Sequence, residues 1–290
     1  MSVKRIFVPG DEWIYYQFSC GPNASDTLLV ECIEGLADSL LKLNLIDKWF
    51  FVRYDDPHFH LRVRFRAVNS DFTYRIYQVL NVEVDTFVKK KIIWKVSIDT
   101  YQREIERYGE DTIELVEDLF FYESKLVCRI LNILYANNME IEEGRWQACV
   151  YLLGKLIENC FEDINGRIEQ TSFMFQTFLL EFDGDSELIK KLDEKYRFNK
   201  TKIVYALSGN FFDVKQVEQH LFQYIAAIRR IIDSNPAAMR KIGGSLMHML
   251  CNRFFHSDTR LKELVVYSFL SKKFNTDRFL NKTNKEEFLC

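Results

Sequence analysis

Residues 60–65 read His-Leu-Arg-Val-Arg-Phe, an alternation of polar and apolar side chains. Successive side chains of a β-strand point to opposite faces, so His60, Arg62 and Arg64 would share one face. We call these three residues the polar row. Adjacent cationic groups repel one another unless an anion lies between them. A half-exposed strand with a solvated polar face is the simpler explanation, but the row favours a binding site for an anion.

A β-hairpin is the element that would position the polar row. The run Trp49–Val52 is rich in the aromatic and β-branched residues that suit strands. The Asp-Asp-Pro sequence at 55–57 then interrupts it, because proline has no N–H for a strand ladder and aspartate favours turns. The sequence therefore predicts two strands joined by a turn, with Arg53 just before that turn.

Two further groups of polar residues have spacings that could serve chemistry. If residues 100–109 are helical, Glu104 and Arg107 stand three apart on one face and can pair. Taken alone, that is a surface ion pair of little energetic consequence. His248 lies in an apolar stripe, with Asn252 one helical turn on and able to orient its ring. A lone histidine in such a stripe is more often structural than catalytic.

Composition and charge limit the classes of protein that this chain can belong to. Its 290 residues can bury a sizeable core, and its net charge of −3 creates no basic field that would attract nucleic acid. Seven scattered cysteines without a C-x-x-C pair predict reduced thiols, a cytoplasmic location and no zinc site. No signal peptide or membrane-spanning run is recognisable, so no contact with a membrane is predicted.

The first part of the chain predicts the order strand, helix, strand, strand, helix, strand. This is the order of a ferredoxin-like split βαβ sandwich. Asn23 or Ser25 is the expected N-cap of the first helix, and residues 69–71 offer caps for the second. In chain order the predicted elements are strand 13–20, a helix to about Leu43, strands around 49–52 and 60–65, a helix from Phe72 to about Leu80, and strand 91–101.

The rest of the chain reads as almost wholly helical, so the predicted class is α+β. We expect a ferredoxin-like region at 1–110 and a helical region at 111–290 packed on it, as one continuous domain. The charged span Phe182–Thr201 is expected to be a surface connection. Apolar periodicity predicts helices at 112–134, 146–160, 171–180, 214–232 and 241–255.

Together these segments resemble a known family, the C-terminal domain of lantibiotic dehydratases, also called the thiopeptide-type bacteriocin biosynthesis domain. The resemblance rests on the hairpin sequence at 49–65 and on Tyr-x-x-Glu-x-x-Arg-Tyr-Gly at 101–109. The helix start near Glu117, and His248 followed by Asn252-Arg253, fit in the same order. It covers about Trp13 to Phe255. One departure is Glu110, where the family commonly has a second glycine.

The resemblance implies an elimination domain of ribosomal peptide modification. In that family a separate, larger domain esterifies serine or threonine of a precursor peptide with glutamate from glutamyl-tRNA. The C-terminal domain then removes glutamate by β-elimination, leaving dehydroalanine or dehydrobutyrine. This implies a lyase that needs no metal or redox cofactor.

The resemblance also implies roles for particular residues. Arg62 or Arg64, together with Arg107, would hold the carboxylates of the leaving glutamate. His248 would take the Cα proton or deliver one to the departing carboxylate, and Glu104 would orient Arg107 or His248. We expect the polar row to line one cleft with Arg107 and His248. The residues expected to bind substrate are His60, Arg53, Tyr101 and Arg253.

Three interpretations of the chain's role remain open at this point. In the first, it is a standalone elimination subunit whose partners are a precursor peptide and a separate glutamyl-tRNA-dependent glutamylating protein. In the second, it resembles pyridine synthases, which join two dehydroalanines in a formal [4+2] cycloaddition. In the third, it only binds a peptide. Retention of the arginine, glutamate and histidine set favours the first. The sequence leaves the oligomeric state open, a homodimer included.

Overall fold

The structure, a computed structural model, describes residues 3–136, 140–211 and 213–287. Contacts group the chain into two compact units. The first contains Met1–Met139 and Val217–Ala238, and the second contains Glu140–Gln216 and Met239–Cys290. The strands belong to the first unit, and helices dominate the rest, which confirms the predicted α+β class. The predicted division after residue 110, within one continuous domain, stays a prediction.

The helices and strands include the predicted ones, in the predicted order, and several that were not predicted. They are β1 (Ile6–Phe7), β2 (Trp13–Cys20), α1 (Pro22–Leu28), α2 (Glu34–Lys42), β3 (Ile46–Tyr54), β4 (His60–Ala67), α3 (Thr73–Lys89), β5 (Ile93–Asp99), β6 (Tyr101–Gln102), α4 (Ile105–Tyr108), α5 (Ile113–Ala136), α6 (Ile141–Cys160), α7 (Ile164–Glu181), α8 (Ser186–Leu207), α9 (Glu218–Ser234), α10 (Pro236–Phe254) and α11 (Thr259–Glu287). A π-helical segment, Leu29–Ile33, joins α1 to α2.

Strands β2 to β5 form a four-stranded antiparallel sheet in the order β3-β4-β2-β5. The first and third strands of the set are central and the second and fourth are at the edges. This is the ferredoxin-like split βαβ arrangement, and the predicted topology is confirmed. Strand β1 pairs with β6 in a separate two-stranded ladder, with Phe7 opposite Tyr101.

One face of the four-stranded sheet lies in the core of the first unit. Leu61, Val63 and Phe65 of β4 are fully buried on this face. Trp49 and Phe51 of β3 pair with the last two of them and are also fully buried. The predicted alternation along β4 is therefore confirmed, and it leaves the polar row on the opposite face of the sheet.

Two helix boundaries of the first unit differ from the prediction. Helix α1 begins at Pro22 with Gly21 at the N-cap, two residues before Asn23 and four before Ser25, the predicted caps. The fixed φ of proline suits the first helical position, where its missing N–H costs no hydrogen bond. Helix α3 continues past Leu80, its predicted end, because Val84 and Phe87 extend its buried stripe.

The prediction of a surface connection at Phe182–Thr201 is wrong, because most of that segment lies in α8. Asp185 caps this helix by accepting a hydrogen bond at its first turn. Leu192, Tyr196 and Ile203 are buried at helical spacing along it. The many charges between these residues lower the mean hydropathy and obscure the pattern. Helix α11, which the sequence analysis did not predict, is polar in the same way.

Helix α11 packs against α6, α7 and α8 in the second unit. Helix α6 also packs closely on α8, since a Cβ added at Gly154 would lie 2.6 Å from Leu207 Cδ2. The Sγ atoms of Cys149 and Cys251 lie 3.7 Å apart between α6 and α10. The six described cysteines are free thiols, and Cys290 lies outside the described residues.

A half-buried carboxylate on α2 makes the stability of the first unit sensitive to pH. The pKa of Glu34 is raised to about 7, chiefly by burial and then by the nearby charge of Asp38. Asn132 of α5 donates a hydrogen bond to its Oε2 atom. The folded-state pKa lies above the unfolded value, so this group's contribution is full below pH 4.5 and is lost as the pH rises through about 7.

We expect Glu34→Gln to stabilise the protein at pH 8 and to change little at pH 5. Each pKa unit corresponds to about 1.4 kcal/mol, which partial exposure reduces here to a gain on the order of 1–2 kcal/mol. Urea unfolding at the two pH values measures the difference. Glu31→Gln, at an exposed position of the adjoining π-helical segment, is the control and should show no such dependence. An equal effect of Glu34→Gln at both pH values would contradict the assignment.

Candidate functional site

The first residues of the polar row support one another. Nδ1 of His60 lies 2.8 Å from the carbonyl oxygen of His58, which can only accept a hydrogen bond. We therefore place the proton on Nδ1, and Nε2 accepts from Nε of Arg62 at 2.9 Å. The guanidinium of Arg62 also stacks 3.5 Å from the ring centroid of Tyr54. His60 thus orients Arg62.

Arg64 lies among three aromatic rings on the same face. Its guanidinium carbon is 4.4 Å from the ring centroid of Tyr15, 4.9 Å from that of Tyr101 and 5.3 Å from that of Phe50. Its Nε atom is buried and has no hydrogen-bond partner among the described residues. The rings fix the position of the cation and leave its donors for a ligand.

The charge of Arg62 and Arg64 is not neutralised within the described part of the chain, where neither forms an ion pair. An Arg fork matches a carboxylate bidentately, and such pairs are the usual fate of a buried guanidinium. Arg62 and Arg64 therefore present two unpaired cations on one sheet face. Other arginines of this unit do have carboxylate partners, Arg53 with Asp26, Arg66 with Asp47, and Arg103 with Glu117.

Arg53, which we expected to bind substrate, lies on the core face of the sheet. Its side chain is 2% exposed, and Nη2 donates to Asp26 Oδ1 at 2.6 Å. Nη1 donates to Ser25, and the hydroxyl of Tyr135 donates to the second oxygen of Asp26 at 2.9 Å. Contact of Arg53 with a substrate would require this buried ion pair to open. Its contacts therefore favour a structural role.

Arg53→Ala should lower the free energy of unfolding by about 3–5 kcal/mol, because it leaves the carboxylate of Asp26 buried without its counter-ion. Urea unfolding measures this. Arg66→Ala is the matched control, since its pair with Asp47 is partly exposed and should contribute about 0–1 kcal/mol. A loss for Arg53→Ala no larger than that of the control would contradict the structural role.

Tyr101, also expected to bind substrate, connects the polar row to a buried ion pair. Its hydroxyl donates to Glu117 Oε1 at 2.8 Å, and the face of its ring meets the guanidinium of Arg64. Arg103 binds both oxygens of Glu117 at 2.7 Å. Burial raises the pKa of Glu117, which the hydrogen bonds and charge of Arg103 oppose. These contacts fix the ring of Tyr101 beside Arg64.

Glu104 and Arg107 form the predicted ion pair, with Arg107 Nε 3.0 Å from Glu104 Oε2. Both side chains are about half exposed, at 59% and 47% respectively. Arg107 lies in the one-turn helix α4, which Gly109 ends with a positive φ of 83°. An exposed pair of this kind contributes little to stability, so Arg107 can exchange Glu104 for a ligand carboxylate at small cost.

His248 lies in α10 of the second unit, and its ring is held by a glutamate that the sequence analysis did not identify. Nδ1 of His248 lies 2.9 and 3.0 Å from the two carboxylate oxygens of Glu263 in α11. The predicted orienting group, Asn252, does not supply this contact. Arg260 lies beside the pair, and Glu181 binds it at 2.8 Å.

The predicted site residues are distributed over both units. The polar row, Tyr101, Glu104 and Arg107 belong to the first unit, and His248 and Arg253 belong to the second. Their meeting in one cleft stays a prediction. Arg253 is fully buried, and its Nη1 donates to the carbonyl oxygen of Met249 at 3.1 Å. A role in binding substrate would require this contact to change.

Sequence reasoning missed the residues that hold the predicted groups in place. Tyr15 pairs with Arg64 and Tyr54 pairs with His60, so both tyrosines lie on the same sheet face as the polar row. The alternation along their strands could have predicted this placement. Glu263 carries no comparable signal, because it lies in α11, a helix that the analysis did not predict. Its partner His248 is 15 residues away on a different helix.

The structure also bears on metals and membranes. Among the described residues, no group of three or more His, Cys, Asp or Glu side chains is placed to hold a metal ion. In the same part of the chain, every helix is too short or too polar to cross a membrane.

Comparison with known proteins gives relatives named as subtilin and nisin biosynthesis proteins. The chain is 25% identical over 268 residues to the subtilin biosynthesis protein SpaB of Bacillus subtilis, covering 90% of this chain and 25% of SpaB. It is 25% identical over 279 residues to the nisin biosynthesis protein NisB of Lactococcus lactis subsp. lactis, covering 96% and 27%. It thus spans about a quarter of the length of the curated relatives it matches.

Solved structures share the fold at low sequence identity. The tRNA-dependent lantibiotic dehydratase MibB from Microbispora sp. 107891 matches with a TM-score of 0.75 and 19% identity, over 96% of this chain and 29% of MibB. The pyridine synthase TbtD, from thiomuracin biosynthesis, matches with a TM-score of 0.63 and 11% identity, over 92% and 98%.

A family match covers most of the chain. The family model described as "Lantibiotic biosynthesis dehydratase C-term" matches residues 13–274. This interval contains the hairpin and His248, the segments on which the sequence resemblance rests. The protein therefore belongs to the family of lantibiotic biosynthesis dehydratase C-terminal domains.

Proposed function

We propose that this chain is a lyase that removes glutamate from glutamylated serine or threonine of a precursor peptide by β-elimination. Membership of the dehydratase family supports a dehydration-related activity. The observation that carries the finer proposal is the pair of arginines, Arg62 and Arg64, that aromatic rings hold in place without a carboxylate partner in the described residues. The leaving glutamate is an anion of the kind that such a pair binds.

The electrostatics of the polar row suit a leaving carboxylate. A guanidinium presents parallel N–H groups that match the two oxygens of a carboxylate. Arg62 and Arg64 are held by ring stacking and by His60, so binding requires little reorganisation. Fixed donors of this kind stabilise charge that develops in a transition state better than mobile ones do. The row would therefore favour departure of glutamate as well as its binding.

The elimination balances without any oxidant or reductant. A base takes the Cα proton of the glutamylated residue, and the electron pair of that C–H bond becomes the Cα=Cβ double bond. The Cβ–O bond breaks, and its electron pair leaves with the glutamate carboxylate. In this proposal His248 takes the Cα proton or delivers one to the departing carboxylate. Arg62 and Arg64 neutralise the negative charge that the leaving group gains.

Arg107 supplies a third guanidinium in the proposal. Its exchange of Glu104 for a substrate carboxylate costs little, since the pair is exposed on both sides. Glu104 then orients Arg107 for the incoming glutamyl group and takes it back after release. The half-exposed position suits a group that must meet a large peptide.

The proposal needs a supplier of glutamylated peptide. We assign that step to a separate glutamyl-tRNA-dependent protein, because residues 13–274 match the C-terminal family of the dehydratases, to which we assign the elimination. The precursor peptide is then a partner shared by the two proteins. We place the reaction in the cytoplasm, where cysteines such as the six free thiols of this chain stay reduced.

Co-expression of this chain with a glutamylating partner and a precursor peptide tests the function. Without this chain, the peptide should carry glutamyl adducts. With it, the adducts should disappear, and the peptide should be lighter than the unmodified peptide by one water for each modified residue. Adducts that persist at the same level in both cultures would overturn the proposal.

The alternative function is the joining of two dehydroalanines, as in a pyridine synthase. The observation in its favour is that this chain covers 98% of TbtD but only 29% of MibB. The higher TM-score with MibB and the lantibiotic names of the curated relatives favour elimination. A peptide that already contains two dehydroalanines separates the two functions, because only a cycloaddition enzyme would convert it to a ring.

A further inference from the structure

We infer that Glu263 positions His248 by holding its imidazole in the tautomer that carries the proton on Nδ1. Glu263 contacts the histidine and is itself fully buried, so we assign it as a positioning residue. The inference rests on the proposed function for the catalytic use of His248. The tautomer itself is a property of the protein alone and can be measured without any substrate.

The contact between the two side chains decides the tautomer. Both carboxylate oxygens of Glu263 lie within hydrogen-bond distance of Nδ1, at 2.9 and 3.0 Å. An ionised carboxylate only accepts hydrogen bonds, so Nδ1 must donate. Nε2 then carries the lone pair, and it has no hydrogen-bond partner among the described residues. The ring of His248 is 29% exposed, so a reactant can approach it.

Glu263 is itself fixed before any substrate arrives. It is fully buried, and the hydroxyl of Tyr267, one turn further along α11, donates to its Oε2 atom at 3.1 Å. Burial raises the pKa of Tyr267 well above its ordinary value, which keeps the hydroxyl protonated as a donor. The same hydroxyl lies 3.8 Å from Sγ of Cys251. These buried contacts leave the carboxylate one orientation.

Among the described residues, Arg260 is the cation beside this pair that could oppose the assignment. Its Nη1 atom lies 3.4 Å from Nδ1 of His248, and a guanidinium can only donate. That contact is longer than those to Glu263, and the same Nη1 atom lies 3.9 Å from Oε2 of Glu263. Glu181 binds its Nε at 2.8 Å, and its guanidinium lies 4.0 Å from the ring centroid of Phe178. The carboxylate of Glu263 therefore determines where the proton lies.

The consequence for the reaction is a directed lone pair. With Nδ1–H committed to Glu263, Nε2 is the atom that accepts the Cα proton, and the carboxylate stabilises the imidazolium that results. Without the carboxylate the ring could rotate or exchange tautomers, which would leave N–H where a base is needed. Glu263 thus orients the imidazole ring and stabilises the imidazolium that proton transfer produces.

The first test is nitrogen-15 NMR of the wild-type protein labelled at its histidines. A spectrum of His248→Gln identifies the His248 signals among those of the five histidines. We expect the signal pattern of a protonated Nδ1 and an unprotonated Nε2 in the neutral ring. A neutral ring with its proton on Nε2 would overturn the inference, whether or not the chain proves to be an elimination enzyme.

The second test is kinetic and uses Glu263→Gln, whose side-chain NH2 group can donate to Nδ1 and so favour the wrong tautomer. We expect kcat for glutamate release to fall at least about tenfold with KM nearly unchanged, because the residue acts through His248. Tyr267→Phe should also lower kcat, but by a smaller factor than Glu263→Gln does. Glu187→Gln, which removes an exposed carboxylate of α8 that pairs with Lys191, should stay within about threefold of wild type.

These outcomes separate the inference from the proposed function. Glu263→Gln that folds and keeps the wild-type kcat would overturn the positioning role. If Glu263→Gln does not fold, Tyr267→Phe and the wild-type tautomer still decide the question. An inactive wild type that shows the predicted tautomer would contradict the proposed elimination and leave the structural part of the inference intact.

Discussion

His248→Ala is expected to slow glutamate elimination by about 10²–10⁴-fold, the usual contribution of a positioned general acid or base. The variant keeps the polar row, so it should still bind the glutamylated peptide. Glutamyl adducts should therefore accumulate while glutamylation by the partner protein continues. The rate of glutamate release in a single turnover measures the effect.

His220→Ala is the control for this prediction. His220 lies in α9 of the first unit, where burial lowers its pKa, and nothing in the proposal uses it. Its replacement should leave the single-turnover rate within about threefold of wild type. Equal rates for wild type and His248→Ala would remove the proposed proton-transfer role.

Arg64→Ala is expected to slow elimination by about 10- to 100-fold. Loss of a hydrogen-bonded charge on the leaving group costs about 1.5–3 kcal/mol, which corresponds to that factor in rate. Arg64→Lys should recover only part of the loss, because an ammonium lacks the planar fork that binds a carboxylate bidentately. Kinetics with a glutamylated peptide under saturating and subsaturating conditions give kcat and kcat/KM for each variant.

Arg66→Ala provides a matched control on the same strand and the same sheet face. Its guanidinium is already neutralised by Asp47, whereas Arg64 has no carboxylate partner in the described chain. Its replacement should change the rate by less than about threefold. Similar losses for Arg64→Ala and Arg66→Ala would mean that general positive charge, and not a built carboxylate site, accounts for the effect.

The hairpin and its polar row could be predicted because their signals are local. Alternation with a period of two places Arg62 and Arg64 on one face whatever the rest of the chain does. The Asp-Asp-Pro turn separates the two strands, and the order of the predicted elements defines the ferredoxin-like topology. The pairing of Glu104 with Arg107 has the same origin, since it depends on a spacing of three residues.

The partners of the buried ionic groups could not be predicted, because they depend on tertiary contacts. Arg53 lies just before the turn and the polar row lies just after it. Arg53 nevertheless faces the core, where it pairs with Asp26, 27 residues earlier in the chain. Glu263 reaches His248 from a helix whose polar sequence gave no apolar stripe to recognise. Helix α8 was missed for the same reason. In each case the sequence shows a charge but not the carboxylate or cation that folding brings to it.

Elimination and hydrolysis both release glutamate, but they leave peptides of different mass. The purified chain is incubated with a synthetic peptide glutamylated at one serine, and free glutamate and peptide mass are followed together. The proposal predicts one glutamate released for each peptide that becomes lighter than the unmodified peptide by one water. Glutamate released with the serine restored would show ester hydrolysis instead, and a peptide that keeps its glutamate would contradict the claim outright.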